Sequence, residues 1–414
     1  MTLSKLTIGV GDRFNHGAPA QLAACQKMLE LGVEVVPVWN KSHREHTIIG
    51  SEPGSVRTAA DAAVAAAGWT RPYHVDADHI GLATVDGFLD SSDFFTIDVA
   101  DFIGQAAPQS EIDAFIDRHP ELVGTVRIDG IDHPLEIARD DVARTASTFL
   151  LAVRKAGEVY RHIAAAKGEG TFIPEISMDE TVSPQTPPEL LVILAAIADE
   201  NIPIQTIAPK FSGEFHKGVD YIGDPAVFAR EFDEDLCVIA HAVANYGLPA
   251  NLKLSVHSGS DKFSIYPAIR ESLRRHNAGV HLKTAGTNWL EELIGLAESG
   301  GEGLAIAREI YSQSLARIDE LSEPYATVVD IDRSQLPPAE TVAAWSAAEY
   351  ADALRHDQSC PAFNPHLRQL LHIGFKIAAE MGPRYIDQLD ACRESIARNT
   401  TANLVERHLK HLFA

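Results

Sequence analysis

The sequence predicts an α/β fold: a (β/α)8 TIM-like barrel with an inserted cap and a helical C-terminal extension. Three observations carry that expectation. Eight short apolar runs of β character alternate with stretches of helical period, the grammar of βα units in a parallel sheet. Eight such units are the count of a closed barrel. The runs end in histidine, lysine or carboxylate followed by small residues, and strand C-terminal ends are where barrel enzymes hold their chemistry. The stretch Asn251–Trp289 shows the pattern twice. Leu252, Leu254 and Val256 alternate with Lys253 and Ser255 and stop at His257; Val280 and Leu282 frame His281, and Lys283 opens a small-residue turn.

The first strand is Thr7–Gly11, running into Asp12 and Arg13. A helix over 18–31 ends at Gly32, a left-handed cap residue. Val33–Val38 is the second strand, ending at Trp39 and Asn40. A helix near 55–67 precedes a third strand, Tyr73–Asp76, which leaves Asp78 and His79 at its end. Phe94–Asp98 is the fourth. The rhythm then breaks over about 101–170, where helical runs at 109–118 and 137–166 flank a small hairpin at 125–137; this is the expected cap. Thr171–Ile176 is strand five and carries Glu175. A helix over 187–200 leads to Pro203–Ala208, strand six, followed by Lys210, Glu214 and His216. The Asn251–Trp289 stretch supplies strands seven and eight. The barrel with its cap spans 1–290, and a mostly helical extension packed on it spans 291–414. A doubly wound open sheet is the competing fold, because Thr327–Ile331 has the composition of a ninth strand.

Composition sets the compartment and the partners. The chain has 414 residues, 45% hydrophobic and 22% charged, which is ordinary for a globular protein with a large core. No apolar run approaches the roughly 18 residues of a membrane-spanning helix. The opening Met1–Lys5 runs straight into a strand, and the four cysteines show no CxxC spacing; both fit a cytoplasmic protein with structural thiols. Lys plus Arg number 35 against 58 Asp plus Glu, a net charge of −23 that repels nucleic acid and anionic lipid. An anionic substrate would therefore need a local basic lining. A small sugar acid is the expected partner, and homo-oligomerisation is compatible with the composition.

The strand ends are rich in histidine and carboxylate, the vocabulary of a divalent cation such as Zn²⁺ or Mn²⁺. His79, His216 and His257 are the candidate metal ligands; His281, flanked by apolar residues, is a weaker one that could point into the barrel or into the shell around it. A histidine at a strand end can also simply bond a carbonyl. Asp78 and Glu175 are the candidate catalytic acid/base pair, since burial raises a carboxyl pKa while a metal lowers it. The alternative is that they orient metal-bound imidazoles, with Asp76 and Asp179 next in line. The loops Ser258–Lys262 and Thr284–Thr287 have the composition of backbone anion sites, though ordinary tight turns would look the same. Arg13, Lys210 and Lys283 are the candidate substrate-binding cations. There is no GxxxxGK[ST] and no strand-linked GxGxxG, so nucleotide binding has no support.

Six segments carry a family resemblance: GVGDRF at 9–14, VDADHIGL at 75–82, PEISMDE at 174–180, APKFSGEFHKGVDY at 208–221, KLSVHSGSDKFSIYP at 253–267 and HLKTAGTNWLE at 281–291. Together they resemble the tagaturonate epimerase family. The resemblance implies a divalent-metal isomerase of hexuronate catabolism that interconverts D-tagaturonate and D-fructuronate. Those sugars differ at a hydroxyl-bearing carbon β to the ketone. Enolisation exchanges only the α proton, so retro-aldol cleavage, rotation and re-addition is the expected route. The rival readings are another metal-dependent barrel sugar aldolase or isomerase, separated by its preference for phosphorylated ketoses, and a non-catalytic sugar-acid binding protein, which would need no metal.

Overall fold

The structure is a computed structural model; it describes every residue except Glu180, Val182 and Thr284, and at Ala285 and Gly286 the backbone alone. In chain order the barrel half comprises β1 (Leu6–Gly11), α1 (Ala18–Glu30), β2 (Val36–Ser42), α2 (His43–Ile49), α3 (Gly54–Ala67), β3 (His74–Ile80), β4 (Phe94–Asp98), α4 (Gln109–Arg118), β5 (Gly124–Val126), β6 (Leu135–Ile137), α5 (Arg139–Lys167), β7 (Ile173–Ser177), α6 (Pro187–Asp199), β8 (Thr206–Ala208), α7 (Pro225–Tyr246), β9 (Lys253–Val256), α8 (Tyr266–Arg275), β10 (Val280–Lys283) and α9 (Ala285–Glu298). Eight of these strands close a parallel barrel in the order β1-β10-β9-β8-β7-β4-β3-β2. Closure is explicit at β1, where Thr7 pairs with both His281 and Val36. That removes the open-sheet alternative. Thr327–Ile331 forms turn and irregular backbone and joins no sheet.

Local chemistry accounts for the helix boundaries. Ser42 caps α2 in a reciprocal box with Glu45. The prolines at 187 and 225 open α6 and α7, where a missing N–H costs nothing. Leu3, Val38, Phe94 and Ile173 form an apolar plug inside the barrel, and Gln205 ties the N-terminal segment there by accepting from Leu3 N at 2.7 Å. The main core lies between the barrel wall and its helices.

Two expectations need correcting. The 101–170 insertion does not cap the mouth. Its hairpin, β5-β6, and α4 and α5 form as expected, but α5 is the crossover helix from β4 to β7, packed on α6. The apolar face of α4, Ile112, Phe115 and Ile116, is buried in the main core. His119 beyond it meets Asp199, at the C-terminal end of α6, at 3.1 Å. Barrel helices run opposite to their strands, so that contact lies toward the face away from the strand ends. Second, the boundary at 290 falls inside α9. That helix, the helix α10 (Gly301–Ala316) and those that follow enclose a second core with Trp289, Leu293 and Phe14. Among the described residues no helix is long and apolar enough to cross a membrane.

Candidate active site

A cavity of about 450 Å³ opens at the C-terminal end of the barrel strands. Small-molecule sites commonly fall between roughly 300 and 1,000 Å³. Among its described lining residues, Asp78, His79, Asp179, His257 and Lys283 come from the barrel, while Thr327, Val328 and His372 come from the C-terminal extension; none comes from 101–170.

Lys283 is the centre of the floor. Its ammonium donates to Asp76 Oδ2 at 2.9 Å, Asp78 Oδ1 at 2.7 Å and Thr96 Oγ1 at 2.6 Å, and lies 3.1 Å from Glu175 Oε1. Asp76 and Asp78 are two apart on β3, so period-2 alternation turns both to one face. One ammonium faces three carboxyls, and one of these is favoured to keep its proton. Asp76 is that group: burial, with Asp78 and Glu175 adding to it against Lys283, pushes it up to about 7. Burial also raises Asp78, but Lys283 and then His79 outweigh it and hold that carboxyl well below its usual range.

Two histidines stand above the floor with rings 5.2 Å apart. His257 Nε2 lies 2.8 Å from Glu175 Oε1 and its Nδ1 lies 3.3 Å from Asp179 Oδ1. His79 Nδ1 lies 3.3 Å from Asp98 Oδ2, and its Nε2 is 3.9 Å from Asp78. Burial disfavours the charged imidazole of His79, yet Asp78 and Asp98 carry it up to about 10. His79 sits at φ +52° where the β3–β4 register shifts. That is a conformation costing on the order of 1–3 kcal/mol, and such strain clusters at functional sites.

The donor chemistry fits a divalent cation. Two imidazoles and the carboxylates of Asp78 and Asp179 share one wall, and Glu175 Oε2 is buried without a partner among the described residues. As placed, no three His, Cys, Asp or Glu side chains among the described residues converge on one point. The imidazole nitrogens point at carboxylates instead, which supply the countercharge.

The structure separates the residues expected here. Asp78, His79, His257, Lys210 and Lys283 line the cavity. Glu175 does not: it is 0% exposed, turned to the barrel interior between Thr96 and Thr206. It bonds His257 and Lys283 from below and cannot touch a ligand in the cavity, whereas Asp179, two residues past the end of β7, is on the wall. His216 is off the lining as well; its Nε2 lies 3.8 Å from Glu214 Oε2. Arg13 is buried away from the cavity, paired with Glu45 at 3.0 Å and stacked over Phe375. His281 points into the barrel, 2.9 Å from Thr7 Oγ1, where burial pushes it down to about 3. Lys262, in the first of the two candidate anion loops, donates to the carbonyls of His216, Val219 and Ser260 and so braces loops. The second loop lies, at Thr284, Ala285 and Gly286, outside the described residues and side chains.

Sequence reasoning gave no role to three wall residues. Asn40 lies within β2, two residues before its end, 1% exposed, with both amide atoms lacking partners among the described residues. An unpartnered buried polar group costs about 1–3 kcal/mol, which a bound hydroxyl would offset. Lys217 lies inside the 208–221 motif beside the more conspicuous His216. His372 gives no local signal, since it belongs to a helix, Pro365–Ile373, more than 80 residues after the last strand.

An eight-stranded parallel barrel with a carboxylate–histidine–lysine cluster at its C-terminal mouth is the architecture of a barrel enzyme doing proton-transfer chemistry on a small polar substrate. Comparison with known proteins narrows the class. A sequence profile of the tagaturonate epimerase family matches residues 1–412, and the chain belongs to that family of carbohydrate epimerases, within the isomerases. The tagaturonate/fructuronate epimerase of Thermotoga maritima is 26% identical over 427 aligned residues, which cover 98% of this chain and 80% of that protein. A glycerol-complexed crystal structure of the fructuronate-tagaturonate epimerase UxaE from Cohnella laeviribosi superimposes with a TM-score of 0.83 at 24% identity, covering 100% of this chain and 82% of that one. The native structure of the same enzyme gives 0.80 at 25% identity.

Proposed function

We propose that this protein interconverts D-tagaturonate and D-fructuronate by retro-aldol cleavage and re-addition at the hydroxyl-bearing carbon β to the ketone. The observation that carries the reading is the cavity wall itself: two carboxylates, Asp78 and Asp179, with two imidazoles between them and basic side chains on the same rim. Inversion needs one group to take the hydroxyl proton and another to return a proton after the aldehyde has turned. Asp78, ionised and on the cavity wall, is placed to accept the first proton as the carbon–carbon bond breaks. The proton taken up by Asp78 is the one returned to the new alkoxide, and Asp179, ionised beside His257, is placed to relay it. The electron pair of the broken bond passes to the ketone fragment as an enediolate, and the same pair re-forms the bond on the aldehyde's other face. A divalent cation held by His79 and His257 supplies, when bound, a Lewis-acid charge for that oxyanion. Glu175 keeps the His257 ring in orientation, and Lys283 balances the floor carboxylates.

The test is an NMR assay of the purified protein with D-tagaturonate, after chelation and after return of Zn²⁺ or Mn²⁺. Conversion to fructuronate that is lost on chelation and restored by metal is expected. Conversion that persists after verified metal removal would retire the metal assignment, and absence of conversion with every ion would retire the substrate.

A further inference from the structure

We infer that Lys217 anchors the carboxylate of the sugar acid, with Ser258 beside it and His372 of the C-terminal extension closing the same end of the cavity. This rests on the substrate reading above and names the residue that would make the site select an acid over a neutral sugar.

The cations near the cavity differ in what already holds them. Lys283 faces three carboxyls. Lys210 donates to Thr181 O at 2.5 Å. Arg13 is paired with Glu45, and Lys262 with three carbonyls. Lys217 lines the cavity, and its Nζ has one hydrogen-bond partner among the described residues, the Ser258 hydroxyl at 3.0 Å. It feels the charges of Asp179, Glu45 and Asp78 without an ion pair to any of them. Beside it His372, also on the lining, has a buried Nδ1 with no partner among the described residues. A lysine on the cavity lining, bonded to one neutral hydroxyl, retains two donors unused among the described residues.

The position is built rather than incidental. Lys217 N donates to Val328 O at 2.8 Å, and Gly218 O accepts from Arg368 Nε at 2.6 Å, so the extension fixes the backbone on both sides of the side chain. Ser258 is held at φ +49°. Electrostatics sets the direction of the ligand. Asp78 and Asp179 repel a second carboxylate from the reacting end, whereas Lys217 attracts it. A sugar acid would therefore lie with its carbinol carbons over the floor and its carboxylate at Lys217.

Kinetics of the intact enzyme with D-tagaturonate and with the neutral ketose D-tagatose, for wild type, Lys217→Met, Lys217→Arg and Lys210→Met, test this. A charge-assisted hydrogen bond lost without other change corresponds to at least about a tenfold rise in KM. That rise is expected for tagaturonate with Lys217→Met, with kcat within a few fold of wild type, little change for tagatose, and most of the loss recovered by Lys217→Arg. Lys210→Met should have the smaller effect. With an active wild type, a tagaturonate KM within twofold in Lys217→Met, an equal loss for both sugars, or a larger effect from Lys210→Met overturns the inference and leaves the substrate reading standing. A wild type inactive on tagaturonate overturns the substrate reading, and the inference with it. If Lys217→Met does not fold, Ser258→Ala carries the test: about a threefold rise in KM is expected, and no change overturns the assignment.

Discussion

At the residue scale, the floor is decided by which carboxyl keeps a proton and which faces the ligand. Lys283 compensates one charge cleanly and shares the rest, so Asp76 is pushed up to about 7 by burial while Asp78 stays ionised. Position then separates the roles. Asp78 and Asp179 are on the cavity wall; Glu175 is beneath it. Removing a positioned proton-transfer group typically costs on the order of 10²–10⁴ in rate. Asp78→Asn and Asp179→Asn are therefore each expected to lose at least about a hundredfold in kcat while remaining folded. Metal content measured on the same samples separates a proton-transfer group from a ligand: loss of metal reassigns the residue. Glu175→Gln should behave differently, lowering stability and altering His257 before it alters proton transfer. A Glu175→Gln enzyme with normal stability and a hundredfold lower kcat would return Glu175 to the acid/base role.

At the element scale, the site depends on helices that never touch a ligand. α9 follows the strand that carries Lys283, and it is pinned from outside by the helix Arg393–Ala402. Their approach is close because position 295 is glycine: a Cβ there would lie 2.6 Å from Ile396 Cα. Backbone cannot yield as a side-chain tip can. Overpacking of this kind typically costs about 1–3 kcal/mol. Gly295→Ala should lower the denaturation midpoint accordingly, with an unchanged m-value. An unaltered midpoint would mean that the two helices separate freely, and that α9 takes its place from the barrel alone.

At the scale of the whole molecule, barrel and extension form one unit. Arg368, 0% exposed, donates to Gly218 O at 2.6 Å, Leu354 O at 2.7 Å and Asp261 Oδ2 at 2.8 Å. One guanidinium thus ties the loop after β8, the loop after β9 and the extension together. Asp261 also accepts from Thr287 at 3.1 Å, and its N–H donates to His408 Nε2 at 3.1 Å. Breaking a buried pair by removing one partner commonly costs about 3–5 kcal/mol, because the other charge stays behind. Arg368→Met should lose about that much in equilibrium denaturation. It should also raise KM, since the loops bearing Lys217 and Ser258 are released together. Loss of stability without any change in KM would mean that the loops hold their shape without the extension.

The sequence by itself determined the repeating units and the roster of polar residues at their ends. Strand alternation and helical period are local, so the hairpin at 125–137, the helix at 109–118 and the strand Phe94–Asp98 were legible to within a residue or two. Asp78, His79, His257 and Lys283 were legible because strand C-terminal ends share one face of any parallel barrel. Only the tertiary structure decided which ends meet. Lys283 reaches Asp76 across 207 residues of chain, and barrel closure alone brings β10 to that point. Depth along the strand, rather than side, separated Glu175, within β7, from Asp179, two residues past its end on the wall. The 101–170 insertion went to the outer wall because its apolar faces had to be buried there. The mouth was covered instead by Thr327, Val328 and His372, whose positions follow from long-range packing and the Arg368 network and leave no pattern in the local sequence.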